Sequence, residues 1–402
     1  MPYNFDALIE RRGTGSRKWN AYPPDVLPMW IADMDFRVPQ PVIDALAQHV
    51  QHGVFGYEEP SQELALTICE RMSAQYGWAV QPDHIVFLPG VITGFNAACR
   101  AFADPGDSIL VQTPVYPPML AAPANNSQEL VTAPLRLARD GSVIRYEVDL
   151  EAFEQAISPR TRLFLLCHPH NPAGLDFSQE TLAGLADICL RHDVVICSDE
   201  IHCDLVLGKT RHQPAATLSP EVANRCVTLM APSKTYNIPG LGCSFAIIQN
   251  RDLRERFCRA TSGIVPNVNA LGLTAALAAY RHGDEWLSAL LSYLTANRDF
   301  LVDYVQRYLP QLAVTVPQAT YLAWLDCRQA GIAGSPSSFF IQHARVAFND
   351  GAAFGAEGVG FVRLNFGTPR SLLKEGLDRI RRALEDLEQG SVPIRQINVT
   401  AY

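Results

Sequence analysis

Between residues 83 and 250, short apolar runs rich in β-branched residues alternate with segments of helical periodicity. The runs are almost continuously hydrophobic, as is typical of strands that are buried on both faces of a sheet. Strands that alternate with helices in this way indicate a mostly parallel sheet and therefore an α/β domain. The candidate strands span 84–89, 108–114, 162–169, 194–200, 226–232 and 243–249, and the clearest intervening helices span 92–103 and 178–192.

After about residue 285 the pattern becomes typical of an α+β domain. A long helical segment precedes three strand candidates and a closing helix, for which we predict Thr368 as the N-cap and Pro369 as the first helical residue. The closing helix carries one apolar face that can pack on a sheet. The long helix spans 287–309, the strand candidates span 312–316, 320–326 and 359–367, and the apolar face comprises Leu373, Leu377, Ile380, Leu384 and Leu387.

These patterns predict two domains. A chain of 402 residues is too long for one compact core. The first 45 residues are rich in loops and prolines and do not look like an independent unit. We expect a large α/β domain over 46–285, a smaller α+β domain formed by 1–45 and 286–390, and a loose tail over 391–402.

Charge and cysteine usage disfavour several classes of partner and site. The formal net charge is −8 and no basic cluster is present, which argues against nucleic acid and anionic membranes as partners. No apolar run reaches the ~18–20 residues that span a bilayer, and the N-terminus lacks the apolar stretch of a signal peptide. The ten cysteines are scattered singly without a C-x-x-C pair. We therefore expect reduced thiols in the cytoplasm and no metal site.

Polar side chains follow the candidate strands at the points where these strands end. In an open α/β sheet, ligands bind outside the carboxyl ends of the strands, so residues from separate strands meet there. The strand-end residues are 89–94, Tyr116, His170 and Asn171, 199–202, and Ser233 with Lys234.

This set has the parts that a pyridoxal-5′-phosphate (PLP) site requires. Lys234 can hold the cofactor as a Schiff base and afterwards move the Cα proton of an amino acid. Asp199 can pair with the pyridine nitrogen and keep it protonated. Asn171 can bind the phenolic oxygen, with His202 as a further candidate, and Tyr116 can stack on the ring.

The phosphate of such a cofactor needs donors and a favourable dipole. The turn over 90–94 opens a predicted helix, whose free N–H groups suit an anion. Ser233 is next to Lys234 and can add a hydroxyl group.

Each of these residues also has an ordinary structural interpretation. Lys234 alone would usually be a solvated charge, Asp199 an N-cap, and Asn171 with its following proline a common turn. The joint order favours a site, because the intervals from Asn171 to Asp199 and from Asp199 to Lys234 each fit about one strand–helix–strand step. A dinucleotide-binding dehydrogenase is disfavoured because no G-x-G-x-x-G follows a strand.

Several motifs resemble those of a known enzyme superfamily. SDEIHCDLV with APSKTYNIPGLGCSFAI resembles the Schiff-base region of fold-type I PLP enzymes, the aspartate aminotransferase superfamily, and HPHNPAG and VRLNFG resemble two of its further motifs. VLPMWIADMDF, FGYEEP, TPVYPPM and FNDGAAFG resemble more narrowly the MalY/PatB-type C–S β-lyases, which are cystathionine β-lyase-like. The resemblance covers roughly residues 3–388 and implies a PLP-transferase fold of type I. This fold has a large domain with a mostly parallel seven-stranded sheet and a smaller α+β domain.

The resemblance also implies roles for individual residues. Lys234 would bind PLP, Asp199 the pyridine nitrogen, and Asn171 and His202 the phenolic oxygen. Arg363, Ala32 and Asn171 would bind the substrate, with Arg363 on its α-carboxylate. Tyr57 would reach the cofactor of a neighbouring subunit, which implies a homodimer with shared active sites. The remaining cofactor contacts would be the stacking ring of Tyr116 and the phosphate ligands Val91, Ile92 and Ser233.

One position departs from the superfamily pattern. Many members carry Arg or Lys eight residues after the Schiff-base lysine, as a phosphate ligand, whereas this chain has Gly242 there. The phosphate would then be held mainly by amides, hydroxyls and Tyr57, or a base from elsewhere would substitute.

The residues alone do not decide between the reactions that PLP supports. The subgroup resemblance implies a C–S β-lyase that cleaves cystathionine or related cysteine S-conjugates to a thiol, pyruvate and ammonia, after Lys234 removes the α-proton. An aminotransferase of the class I/II type is the alternative. A non-catalytic PLP-binding regulatory protein is a third hypothesis, which loss of Lys234 or Asp199 would have indicated.

Overall fold

The computed structural model describes residues 3–208 and 211–390, and the predicted tail over 391–402 lies outside the described residues. The strands are β1 (Leu27–Pro28), β2 (Ile85–Leu88), β3 (Ser108–Thr113), β4 (Glu129–Pro134), β5 (Arg136–Asp140), β6 (Val143–Glu147), β7 (Thr161–Cys167), β8 (Val195–Asp199), β9 (Cys226–Met230), β10 (Ser244–Ile247), β11 (Ala313–Thr315), β12 (Leu322–Asp326), β13 (Val346–Ala347), β14 (Asn349–Asp350) and β15 (Phe361–Asn365). The helices are α1 (Arg17–Asn20), α2 (Gln40–His52), α3 (Gln62–Tyr76), α4 (Val91–Phe102), α5 (Pro117–Asn125), α6 (Leu150–Gln155), α7 (Gln179–Arg191), α8 (Pro220–Ala223), α9 (Pro232–Thr235), α10 (Arg251–Thr261), α11 (Ala270–His282), α12 (Asp284–Tyr308), α13 (Pro336–Phe339) and α14 (Arg370–Glu388).

The first sheet has seven strands in the order β2-β10-β9-β8-β7-β3-β4, and all are parallel except β10. This confirms the predicted mostly parallel α/β sheet, and all six candidate strands form part of it. Both faces are covered, since Val195 and Cys197 of β8 lie in one apolar cluster and Ile196 in another. Burial on both faces is why these strands read as continuous apolar runs.

The seventh strand, β4, has no counterpart among the candidate strands. It is an edge strand that pairs with β3 alone, and most of its side chains are exposed or half-buried. An edge strand of this kind does not need a continuous apolar sequence, and so the pattern that identified the other six strands is absent.

The second sheet has six strands in the order β14-β15-β12-β11-β6-β5. The hairpin β5–β6 joins it through a parallel pairing of Val143 with Val314, although the predicted boundaries placed the hairpin within the large domain. A domain boundary drawn as one continuous residue range cannot show that a hairpin within that range pairs with the other sheet. We therefore propose the predicted division with one change, in which 136–147 belong with the smaller domain.

The closing helix begins one residue later than predicted. Pro369 is its N-cap, with extended dihedral angles, and the prediction that Thr368 caps the helix is wrong. The Asn297 side chain donates hydrogen bonds to the carbonyl oxygens of Phe366 and Thr368, which holds this stretch in an extended conformation. The predicted apolar face is buried over Leu373, Leu377, Ile380 and Leu384, with Leu387 at its edge.

The N-terminal segment is held against β13 and the last residue of β15. Strand β1 pairs in parallel with β13, and the Asn365 side chain donates to the carbonyl oxygens of Ile31 and Asp33. A buried ion pair fixes the same segment, since Lys18 Nζ lies 2.8 Å from Asp35 Oδ2. These contacts hold Ala32, at the middle of the segment, over the first sheet. Among the described residues, no helix is both long and apolar enough to cross a bilayer.

Candidate active site

A cavity with about 830 Å³ of empty space opens at the carboxyl ends of the first sheet. Nine of the residues predicted from the sequence line it, which brings them together from six separate stretches of the chain. These residues are Ala32, Val91, Ile92, Tyr116, Asn171, Asp199, His202, Ser233 and Lys234.

Lys234 lies in the short helix α9, directly after β9. Its Nζ donates a hydrogen bond of 2.6 Å to the carbonyl oxygen of Ala32. Desolvation in the cavity and the nearby charge of Arg363 lower the pKa of Lys234 to about 8, against the opposing effect of Asp33 and Asp199. The side chain therefore holds a substantial fraction of neutral, nucleophilic amine near neutral pH.

Asp199 is the last residue of β8 and its side chain is buried at the cavity wall. Its Oδ1 accepts a hydrogen bond of 3.2 Å from the Ile201 N–H. Burial raises the pKa of Asp199 to about 7, and the neighbouring charge of Glu200 acts in the same direction. A desolvated carboxylate of this kind gains most from a cationic N–H group placed beside it.

Arg363 comes from β15 of the second sheet and is buried beside the cavity. Its Nη1 donates to Asn171 Oδ1 at 2.9 Å, and its Nη2 donates to Asn349 Oδ1 at 2.7 Å and to the Trp30 carbonyl oxygen at 3.3 Å. The guanidinium lies 5.0 Å from the ring centroid of Phe354. Every one of these partners is uncharged.

The charge of Arg363 is thus left without an anion. Within the described part of the chain no carboxylate pairs with it, and its Nε is buried without a hydrogen-bond partner. Burial lowers the pKa of Arg363 to about 10. Because a buried cation without a counter-ion is costly, this arrangement fits a ligand that brings a carboxylate.

His202 and Tyr116 line the cavity, and Tyr321 packs against His202. His202 is buried with an unpartnered Nδ1, and burial holds the pKa of its ring well below the ordinary value, so the imidazole is neutral. Tyr116 is half-buried at the start of α5, where its ring lines the cavity. Tyr321 lies edge-on to His202 and its hydroxyl donates to the Ala32 carbonyl oxygen at 2.9 Å.

One end of the cavity is formed by the beginning of α4. Val91 and Ile92 are the first two residues of this helix, and its N-cap, Gly90, provides no side-chain hydrogen bond. The first N–H groups of a helix have no intrahelical acceptor, so this end can bind an anion. Ser233 also lines the cavity.

Gly242 lines that anion-binding end and cannot readily carry a side chain. Its φ of +57° is in the left-handed region, and a Cβ atom would lie 3.3 Å from the Pro89 carbonyl oxygen. Lys234 is the only Lys or Arg among the cavity-lining residues that the structure describes. The donors at this end are therefore neutral amide and hydroxyl groups.

Tyr57 does not reach the cavity of its own chain. Its side chain is fully exposed, in a segment without regular structure that also exposes Val54 and Phe55. Its predicted role in a neighbouring subunit remains a prediction.

Sequence reasoning did not identify four participants. Asn349 and Phe354 lie in FNDGAAFG, which was recognised only as a motif without a role. The carbonyl oxygen of Trp30 could not be identified from the sequence, because every residue type has a main-chain acceptor. Tyr321 could not be identified because it lies at the start of an apolar strand sequence, where a tyrosine usually packs in the core.

The cavity fits PLP on its own geometry. It offers a lysine amine of lowered pKa, a buried carboxylate for a ring nitrogen, a tyrosine for the ring face and a helix N-terminus for the phosphate. Arg363 lies beside the cavity-lining Asn171 and offers a cation that can bind an amino-acid carboxylate.

Comparisons with known proteins give a consistent result. The family model described as aminotransferase class I and II matches residues 24–380. The cystathionine beta-lyase PatB of Bacillus subtilis (strain 168) is 40% identical over 95% of this chain and 100% of its own length. A crystal structure of OvoB is 47% identical with a TM-score of 0.90, covering 95% of this chain and 99% of that one. The PLP-bound C–S lyase from Staphylococcus hominis is 33% identical with a TM-score of 0.88, covering 95% and 98%.

These matches span almost the whole chain at identities well above the level at which only the fold is shared. They agree with the resemblance found in the motifs around Lys234 and in the N-terminal segment. The chain belongs to the aminotransferase class I and II family.

Proposed function

We propose that this chain is a PLP-dependent C–S β-lyase that cleaves cystathionine or related cysteine S-conjugates to a thiol, pyruvate and ammonia. The observation that carries the proposal is the meeting of Lys234 and Asp199 at one cavity, with an anion-free Arg363 buried beside it against Asn171. The relatives named as a cystathionine beta-lyase and as a C–S lyase support the choice of reaction.

Each residue in and beside the cavity has a separate role in this reaction. When PLP is bound, it supplies an electron sink that stabilises negative charge on the substrate Cα. Arg363 binds the α-carboxylate with two N–H groups and so fixes the orientation of the Cα–H bond. The Lys234 amine takes the Cα proton, and Asp199 keeps a proton on the ring nitrogen. The β-substituent then leaves as a thiolate, which is a good leaving group because a thiol has a pKa of about 8.5. The thiolate takes up a proton, and water hydrolyses the remaining three-carbon fragment to pyruvate and ammonia.

The N-terminal segment orients the base. The Ala32 carbonyl oxygen accepts hydrogen bonds from both Lys234 Nζ and the Tyr321 hydroxyl. With one N–H group directed at Ala32, the lone pair of a neutral amine is free for a proton on the substrate. Tyr321 fixes the position of this acceptor and hence of the amine.

A substrate panel tests the reaction. Purified enzyme loaded with PLP is incubated with L-cystathionine and S-alkyl-cysteines, and pyruvate and thiol are measured together. A parallel assay supplies an amino acid with a 2-oxo acid and measures amino transfer. The proposal expects equal amounts of thiol and pyruvate. Amino transfer without pyruvate release would establish the aminotransferase instead.

The capture of PLP by the cofactor-free protein should depend on pH. The neutral amine is the nucleophile, and a pKa of about 8 leaves about a tenth of Lys234 neutral at pH 7, against roughly one in several thousand for an ordinary lysine. Capture should therefore accelerate as pH rises and level off above about 8. The rate is followed by the visible absorbance of the linked cofactor, with Nα-acetyl-lysine as a control for the titration of PLP itself. A rate that keeps rising through pH 10 would contradict the lowered pKa.

We further propose that the enzyme is a homodimer in which Tyr57 serves the cofactor site of the partner. Three observations support this: the exposed apolar segment around Tyr57, the neutral donor set at the anion end of the cavity, and the resemblance to fold-type I enzymes. The ten cysteines are all free and eight are buried, which supports a reducing compartment such as the cytoplasm.

Mixing two impaired variants tests the shared site. Tyr57→Ala should weaken PLP binding by roughly 10- to 100-fold, the value of a hydrogen bond to a charged group. Tyr308→Ala, at another exposed tyrosine, should have no such effect. When Tyr57→Ala and Lys234→Ala chains are mixed and allowed to exchange, hybrid dimers hold one site with both residues intact. Activity should then appear at a PLP concentration that saturates only intact sites; a monomer by sedimentation, or no recovery, would contradict the proposal.

A further inference from the structure

A buried polar cluster lies on the opposite side of the β8 end from the cavity. Glu200 follows Asp199, and neighbouring residues of an extended strand point to opposite faces. The Glu200 side chain has no exposed surface. Its Oε1 accepts hydrogen bonds from Ser198 Oγ at 2.7 Å and from the Ala215 N–H at 3.0 Å. A carboxylate thus lies directly behind the one that faces the cofactor site.

His212 places both ring nitrogens against carboxylates. Its Nε2 lies 2.8 Å from Glu200 Oε2, and its Nδ1 lies 3.1 Å from Asp176 Oδ1. An ionised carboxylate only accepts hydrogen bonds, so both nitrogens must carry protons and the ring is an imidazolium. Despite burial, the hydrogen bonds to Asp176 and Glu200 raise the pKa of His212 to about 9.

The other groups around His212 do not change this assignment. The ring of His168 lies 4.4 Å away, and burial lowers its pKa to about 4, so it is neutral. Tyr76 packs edge-on at 5.9 Å. The His168 Nε2 lies 3.2 Å from the Gln213 carbonyl oxygen and 3.7 Å from Asp176 Oδ1. His168, Asp176 and His212 are residues of the kinds that bind metal ions. Both nitrogens of His212 already face carboxylates, so neither is free to bind a metal ion.

The charge of Glu200 affects the pKa of the adjacent Asp199. It acts together with burial to raise the pKa of Asp199, while Lys234 and the Ile201 N–H act in the opposite direction. Two cysteines, Cys167 and Cys197, are also close to Asp199, and burial keeps their thiols neutral. A cation at hydrogen-bond distance from Glu200, as His212 is, opposes the effect of that carboxylate on its surroundings.

We propose that His212 is a positioning residue for Asp199: as an imidazolium between Glu200 and Asp176, it cancels the charge of Glu200, so that the proton shared by Asp199 and the cofactor stays on the ring nitrogen. The inference rests on the proposed function, because the proton can be shared only if the pyridine nitrogen of a bound PLP faces Asp199. Without the cation, Glu200 would draw the proton onto Asp199, and the electron sink would weaken.

The proton position can be read by NMR in holoenzyme that is loaded with PLP labelled with ¹⁵N in the ring. In His212→Gln the ring-nitrogen resonance should move towards the unprotonated value, and kcat should fall about tenfold, the equivalent of one pKa unit, with a smaller change in KM. His192→Gln is the matched control, because His192 also contacts a carboxylate, Glu154, but on the surface. It should leave both readouts unchanged.

A double variant separates charge from packing. His212→Gln with Glu200→Gln removes both charges, so the ring nitrogen and most of kcat should recover. If the double variant is as impaired as the single one, or if His212→Gln leaves the ring nitrogen protonated, the inference is overturned.

A measurement on the unmodified enzyme keeps the test decisive if the variants do not fold. With ¹⁵N-labelled histidine, the ring of His212 should show two protonated nitrogens at pH 8. A neutral ring, or one bound metal ion per chain after dialysis, would overturn the inference. If the unmodified enzyme takes up no PLP, or if the pyridine nitrogen of its bound PLP is not protonated, the proposed function is refuted instead.

Discussion

Replacing Lys234 with alanine is expected to lower kcat for pyruvate release by at least roughly 10²–10⁴-fold, the usual contribution of a general base. The same change should abolish the visible absorbance of the lysine-linked cofactor, because the amine that forms the link is gone. Both effects follow from the position of Nζ, which lies in the cavity at hydrogen-bond distance from Ala32. Pyruvate release and absorbance are measured on the same PLP-loaded sample.

Lys374→Ala is the matched control for this variant. Lys374 is an exposed lysine of α14 that pairs with Asp378. It should keep full activity and an unchanged spectrum. A Lys234→Ala enzyme that retains a tenth or more of the activity would show that another group removes the proton.

Arg363→Ala should lower kcat/KM for cysteine S-conjugates more than any other substitution outside the lysine. Truncating one partner of a buried, hydrogen-bonded charge pair costs about 2–5 kcal/mol, or roughly 30- to several-thousand-fold. Most of the loss should appear as a higher KM, because the carboxylate is bound before and during the reaction. Arg363→Lys should recover only part of it, since an ammonium group cannot offer two parallel N–H groups.

Substrate discrimination makes this test specific. The unmodified enzyme should strongly prefer a cysteine conjugate to the matching cysteamine conjugate, which lacks the carboxylate, and Arg363→Ala should lose most of that preference. Arg328→Ala is the control: Arg328 belongs to the same domain, pairs with Asp326 and lies 4.7 Å from the Phe361 ring. If the Arg363→Ala enzyme still discriminates fully, the carboxylate is bound elsewhere.

The sequence predicted the first sheet and the core of the site for the same physical reason. Strands buried on both faces must be apolar throughout, so Asp199 and Lys234 stand out at the points where apolar runs stop. Parallel strands bring their carboxyl ends to one edge, and the structure accordingly gathers these residues in one cavity.

Other features depend on contacts between distant parts of the chain and leave no local pattern. The hairpin over 136–147 joins the second sheet through a partner 171 residues later, at Val143 and Val314. The residues just before α14 are held by the Asn297 side chain, which donates to the Thr368 carbonyl oxygen, and Thr368 does not cap the helix. The polar partners of Arg363 include a main-chain oxygen, that of Trp30, which no residue type can reveal. The role proposed for Tyr57 needs a second subunit, and its exposed side chain makes no contact with the cavity of its own chain.

The chain contains only four lysines, Lys18, Lys209, Lys234 and Lys374, and this allows a direct test of the covalent link. Enzyme incubated with PLP is reduced with borohydride, digested and examined by mass spectrometry. The account predicts one reduced pyridoxyl phosphate per chain, attached to the peptide that contains Lys234. Attachment to a different lysine, or none after the visible absorbance has formed, would contradict it.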